Sequence, residues 1–356
     1  MRRRDSNFEL LRVLAIVMIV VFHYTWNADY TWQKMQGGGK LAIDVFYHFG
    51  ELGVNSFGLL SGYFLSAQER PFRAQKAFLL WMQVLFYSVL SSAAYYTLKP
   101  EEFDLQAFFE IVFPLSFHIW WYATAYLLLY FCAPFLNRLL NTLSREEYRW
   151  LLVFQMTVFC ILPTLLGVLE DNPEGFWYYS RFFWLIVLYC FAGYIRKYDP
   201  PFRLRTWKGW LLTHLALWAL LIAFMAFWER FGDHFEEVFP ISAIYFWRPN
   251  TVMMAALSVT LFLMCKNLRL RENRVINGLA SATFGIYLFH GGRSGVVWWN
   301  RIFHNPAYEG TPMIFIDMLC AVAVILVLGL LVESVRKRLE RVIIIPILRQ
   351  HDSPDN

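Results

Sequence analysis

Long apolar blocks recur along the whole chain, and each is about as long as a helix must be to cross the hydrocarbon core of a bilayer, about 20 residues. Ten such blocks run at roughly 8–27, 41–65, 76–98, 118–138, 148–169, 178–196, 207–229, 247–265, 278–299 and 311–334. A soluble domain of 356 residues has room for a core but not for ten blocks of this length. Composition agrees, with 58% hydrophobic and only 17% charged residues, against about 25% charged in an ordinary soluble chain. A membrane β-barrel would show short alternating strands instead. The expected fold is therefore an all-α integral membrane protein, a bundle of about ten transmembrane helices. A short amphipathic piece at about 103–113 precedes the fourth block.

Most basic residues fall in alternate loops and in both tails, from Arg2, Arg3 and Arg4 to Arg336, Lys337 and Arg338. The positive-inside rule then places both termini in the cytoplasm. The formal charge of +5 is accounted for by these loops, so no nucleic-acid partner is expected. The intervening loops, such as EDNPEGFWYYSRFFW, are acidic and aromatic, as an outer membrane-water boundary favours. The first block has no small-residue cleavage site and nine blocks follow it, so it reads as a retained span. The five cysteines lie apart within apolar blocks, which argues against disulfides and a metal site. One membrane domain over 1–340 and a short cytoplasmic tail over 341–356 are expected, with LRQHDSPDN at its end disordered.

Charges within such blocks need a reason, because an ionised side chain at mid-bilayer costs at least about 2.5–3.5 kcal/mol. In NFELLRVLAIVMIVVFHY, Arg12 and His23 stand eleven residues apart, just over three helical turns, so they share a face about 16 Å long. Glu9 lies one turn before Arg12. The plainer reading is that Arg12 snorkels to the interface while His23 caps the outer end. In the second block Asp44, His48, Glu51 and Asn55 form one stripe at spacings of four, three and four. A wall hydrogen-bonded within the bundle would explain three of them, but a mid-span Glu51 requires a partner. Gly53, Gly58 and Gly62 suit close helix packing. After that block, Arg70, Arg73 and Lys76 make a basic face suited to phosphates, or ordinary interfacial charge. His290 and Arg293 stand one turn apart before and after Gly291 and Gly292, which marks a local break. His118, Tyr122 and Tyr126 read as interface anchors. No Walker loop, dinucleotide-binding glycine pattern or HExxH motif occurs in context.

These segments, with ELGVNSFGLLSGYF, WWYATAYLLLYFCAPFLNRLL and SATFGIYLFH, resemble the acyltransferase-3 family over roughly residues 5–335. The family's Arg, ten residues, His element is met by Arg12 and His23, and its Arg-x-x-Arg element by Arg70 and Arg73. The chain looks like the compact members that carry no added extracytoplasmic esterase-like domain. The resemblance implies a bacterial cytoplasmic-membrane O-acyltransferase. It would move an acyl group, acetyl by default, from acyl-CoA to a hydroxyl of a surface polysaccharide or its lipid-linked precursor. Acetyl-CoA is then a co-substrate, and no metal is needed. His23 and Glu51 are the candidate catalytic residues, His23 either taking the hydroxyl proton or carrying the acyl group transiently, with Glu51 or His48 fixing the His23 tautomer. Arg12, Arg70, Arg73, His48, Asn55 and His290 are candidates for binding. The alternative is a transporter or flippase for a small polar solute or lipid-linked sugar, whose pathway would use similar polar stripes.

Overall fold

In the computed structural model the described residues are 5–27, 38–67, 73–167, 181–199, 206–234, 242–303 and 305–351. All regular structure among them is helical. The longer helices are α1 (Ser6–Trp26), α2 (Gly38–Leu65), α3 (Ala74–Leu98), α4 (Leu105–Val112), α5 (Trp121–Thr142) and α6 (Arg145–Met156). A π-turn joins α6 to α7 (Leu162–Leu166), and then come α8 (Arg181–Tyr198), α9 (Trp207–Phe231) and α10 (Val252–Asn267). The next segment is broken into α11 (Arg274–Ala280), α12 (Thr283–His290) and α13 (Ser294–Val297), and α14 (Met313–Leu339) is followed by α15 (Ile345–His351).

Six of the described helical stretches are long and apolar enough to cross a membrane: those starting at Ser6, Ala74, Trp121, Arg145, Trp207 and Met313. This is fewer than the ten blocks of the sequence, for identifiable reasons. The polar stripe of α2 dilutes its apolarity, and α8 carries Arg181, Arg196 and Lys197. Helix α10 is short, and the ninth block is interrupted. The tail also differs from expectation: helix continues through Ile345–His351, and only 352–356 lie outside the described residues.

Helix α1 is the hub, packing against α2, α10, α11, α12 and α14. Its Leu11, Ala15, Val20 and Tyr24 have no exposed surface. Small residues set the close approaches. A Cβ at Gly53 would lie 2.7 Å from the Ala15 carbonyl oxygen of α1, and one at Gly62 would lie 2.5 Å from Tyr189 Cα of α8. Replacing either with a larger residue would push helices apart.

The amphipathic piece is α4, begun by Asp104, whose carboxylate accepts from Ala107 N at 2.7 Å. It exposes Leu105, Phe108 and Phe109, the side that suits an apolar boundary. Glu110 on its other side pairs with Arg293, tying α4 to the break after α12.

A second polar centre locks α3, α12 and α14 together. Glu333, 1% exposed, holds Arg336 in a two-pronged pair at 2.8 and 2.9 Å. It also accepts from Tyr87 Oη at 2.9 Å and Gln83 Nε2 at 3.2 Å. Gly285 leaves the space its carboxylate fills. Glu333→Ala strands these donors without an acceptor, so it should cost about 3–5 kcal/mol. A lowered thermal midpoint of the detergent-solubilised protein would register it.

Candidate functional site

Two cavities follow one another through the bundle. The larger, about 410 Å³, is lined by Arg12, Lys76, Ser61, Tyr122, Tyr126, Ser281 and apolar neighbours. The smaller, about 140 Å³, is lined by His23, Glu51, Arg181, Phe22, Ile119, Trp120, Trp121, Gly291 and Gly292 among others. Ile19, Val54 and Tyr287 line both. Each of these three stands one helical turn from a polar residue of the smaller chamber's layer: Ile19 from His23, Val54 from Glu51 and Tyr287 from His290. They form a neck between a cation-ended cavity and a histidine chamber.

The histidines of that layer are joined. His23 Nδ1 lies 2.9 Å from His290 Nε2, and His290 Nδ1 lies 2.6 Å from the Ile286 carbonyl oxygen. A carbonyl can only accept, so His290 Nδ1 carries the hydrogen. The Nε2 of a neutral His290 is then an acceptor, and His23 Nδ1 must donate to it. This leaves the lone pair of His23 on Nε2. The chain Ile286 to His290 to His23 therefore fixes the tautomer that a general base requires. His290 is fully buried, held in place by its own helix. The sequence reading gave this orienting task to Glu51 or His48, and in the folded protein His290 occupies that position.

Glu51 has a different partner. Its Oε1 is 3.0 Å from Arg181 Nη1 at the start of α8, while its Oε2 is buried without a hydrogen bond. Arg181 also lies over the Trp121 ring at 4.5 Å, and its side chain is 44% exposed. A buried carboxylate is thus neutralised by a cation that reaches it from the chamber mouth, with one oxygen left over.

The remaining candidates separate by location. Arg12 lines the larger cavity, paired with Glu9 at 2.6 Å and lying over the Phe64 ring at 5.3 Å. Arg73 is exposed at the N-cap of α3, outside the lining of both cavities, whereas Lys76 lies in it. Arg70 lies outside the described residues. His48 Nδ1 donates to the Asp44 carbonyl at 2.7 Å, its Nε2 is buried without a partner, and it lines neither cavity. Asn55 also lies apart: its amide donates to Pro249 O at 2.8 Å and Ser258 Oγ at 3.1 Å, and accepts from Trp184 Nε1 at 2.8 Å. These bonds tie α2 to α8 and α10. No cluster of His, Cys, Asp and Glu suited to a metal ion occurs among the described residues.

Arg181, Tyr287, Trp120 and Trp121 belong to the site, yet sequence reasoning passed over them. Arg181 sits in an aromatic stretch that also reads as an interfacial loop. Tyr287 was legible only as three residues before His290, on the same helix face.

An all-helical, multi-pass membrane protein with a polar chamber inside its bundle is the class these features define. The acyltransferase-3 family model, described as an acyltransferase domain, matches residues 5–334. No curated protein and no solved structure matches the chain. The chain belongs to the acyltransferase-3 family, and it is a membrane acyltransferase.

Proposed function

We propose that this protein transfers an acetyl group from acetyl-CoA to a hydroxyl of a cell-surface polysaccharide or its lipid-linked precursor. It does so in a bacterial cytoplasmic membrane, with ten crossings and both termini cytoplasmic. The observation that carries the reading is the pair of adjoining cavities, Arg12 and Lys76 along one and His23 in the other, with Ile19, Val54 and Tyr287 bordering both. The phosphates of CoA dock at the basic end, where Arg12 and Lys76 line the cavity, with Arg73 and Arg70 of the same sequence stretch as further candidates. The thin pantetheine arm passes along the larger cavity and through the neck. The acceptor enters the smaller chamber from the opposite side, where Trp121 and Glu51 offer a ring face and a carboxylate oxygen to a sugar.

A hydroxyl is a weak nucleophile at neutral pH, so its attack on the thioester needs a base. His23 Nε2 takes the proton, and the charge it gains is stabilised through Nδ1–H and His290. Glu51 positions the acceptor through Oε2. The size of the chamber supports acetyl over larger groups. A cavity of about 150 Å³ holds one benzene, and this one, about 140 Å³, must take the acyl group and the reacting hydroxyl together.

The test is acetyl-CoA binding by calorimetry on the purified protein in nanodiscs. Each charge-assisted phosphate contact is worth about 1.5–3 kcal/mol, so Arg12→Ala/Lys76→Ala should bind at least about 10-fold more weakly than wild type. Folded wild-type protein that binds no acetyl-CoA would count against the transferase reading and for a carrier.

A further inference from the structure

We propose that Trp120 is the oxyanion donor of the transfer step: its indole N–H hydrogen-bonds the thioester carbonyl oxygen as negative charge develops there. The inference rests on the acyl-transfer reading and adds a catalytic residue to it. Three observations meet at this side chain, the first being that it lines the chamber that holds His23. Trp120 is 2% exposed, and its Nε1 is buried without a hydrogen-bond partner. Buried indole N–H groups ordinarily find an acceptor, and one left unmatched in a reaction chamber has the polarity that an acyl oxyanion needs.

The backbone is shaped to bring the indole to this place. His118 adopts φ 55°, a left-handed conformation that few non-glycine residues take and that histidine takes more readily than most. The turn that it closes is held by Ile119 N donating to Pro114 O at 3.1 Å and Thr124 Oγ1 donating to Leu115 O at 2.8 Å. Trp120 follows as the N-cap of α5. Strain of this kind concentrates at functional sites.

The neighbouring chain leaves space for the ring. A Cβ at Gly291 would lie 3.0 Å from Trp120 Nε1, and one at Gly292 would lie 2.7 Å from its Cζ2. Gly292 has φ 60°, which glycine adopts freely. These glycines directly follow His290, the residue bonded to His23. The orphan N–H therefore packs one residue away from the base's own partner, and Trp120, Gly291, Gly292 and His23 line one chamber.

The chemistry balances with these groups. The acceptor O–H gives its proton to His23 Nε2 while its oxygen forms a bond to the thioester carbon. The carbonyl π pair moves onto oxygen, and the Trp120 N–H donates a hydrogen bond to that oxygen. Collapse restores the carbonyl and breaks the C–S bond. The CoA sulfur leaves with the bonding pair and takes the proton from His23.

The experiment compares wild type, Trp120→Phe and Trp120→His in acetyl transfer from acetyl-CoA to a saccharide acceptor. Calorimetric acetyl-CoA affinity and thermal midpoint are measured alongside. Loss of an oxyanion donor costs about 10²–10³ in kcat. Trp120→Phe keeps an aromatic ring and lacks the N–H, so its kcat should fall by that factor with both KM values and the midpoint little changed. Trp120→His restores a ring N–H and should recover part of the rate. A kcat within about 3-fold of wild type in Trp120→Phe overturns the assignment. So does a loss expressed in acceptor KM alone, which would mark a sugar platform, or one accompanied by a fallen midpoint. Wild-type protein that binds acetyl-CoA and transfers nothing overturns the acyl-transfer reading itself.

Discussion

His23→Ala should abolish acetyl transfer while the protein still folds and inserts. General-base catalysis contributes about 10²–10⁴-fold, and the truncation also removes the group that returns the proton to the leaving thiol. Acetyl-CoA affinity should persist, because Arg12 and Lys76 line a separate cavity on the other side of the neck. Transfer is measured as acetylated acceptor, and folding as a monodisperse elution profile with an unshifted thermal midpoint. Preserved transfer in the folded variant would falsify the role given to His23.

The second large effect is at His290, which need not touch either substrate. With His290→Phe, His23 Nδ1 loses its acceptor, and the ring is free to hold its hydrogen on Nε2, the wrong nitrogen for a base. Loss of a comparable orienting group in a serine protease lowers kcat by about 10⁴. A fall of roughly 10²–10⁴ is expected here, since no full negative charge is lost. His290→Gln can still accept from His23 Nδ1–H and should recover part of the activity. If His290 acts only through His23, the double variant His23→Ala/His290→Phe should be no worse than His23→Ala alone. Additive losses would mean that His290 works independently.

Several parts of this arrangement were legible in the chain. The apolar blocks required helices in a membrane, because nothing else of that length satisfies its backbone in lipid. The eleven-residue spacing put Arg12 and His23 on one face of α1, since helical periodicity is a local property. The paired glycines after His290 announced a break, and the structure places one there. The small residues of α2 announced close packing, and Gly53 and Gly62 lie against backbone of α1 and α8.

Other parts could not be read. Four residues of α2 share a stripe, but a stripe is wider than a cavity. Glu51 lines the smaller chamber, while Asn55 one turn on is bonded to α8 and α10. Nothing in the spacing separates those fates. Glu333 was passed over because a glutamate near a run of arginines looks like an interfacial charge, and only the meeting of α3, α12 and α14 makes it a buried anchor.

The sequence by itself determined the class of fold and the family, and on α1 the line from Arg12 to His23. These depend on hydrophobic length and 3.6-residue periodicity, which act along a single helix. Which nitrogen of His23 is free, which cation answers Glu51, and where an unmatched indole N–H sits were decided by tertiary structure alone. Each is a contact between residues 130 to 267 positions apart in the case of the two bonded pairs, Arg181–Glu51 and His23–His290. Hydrogen bonding is short-ranged and directional, so such pairings exist only once the helices have packed.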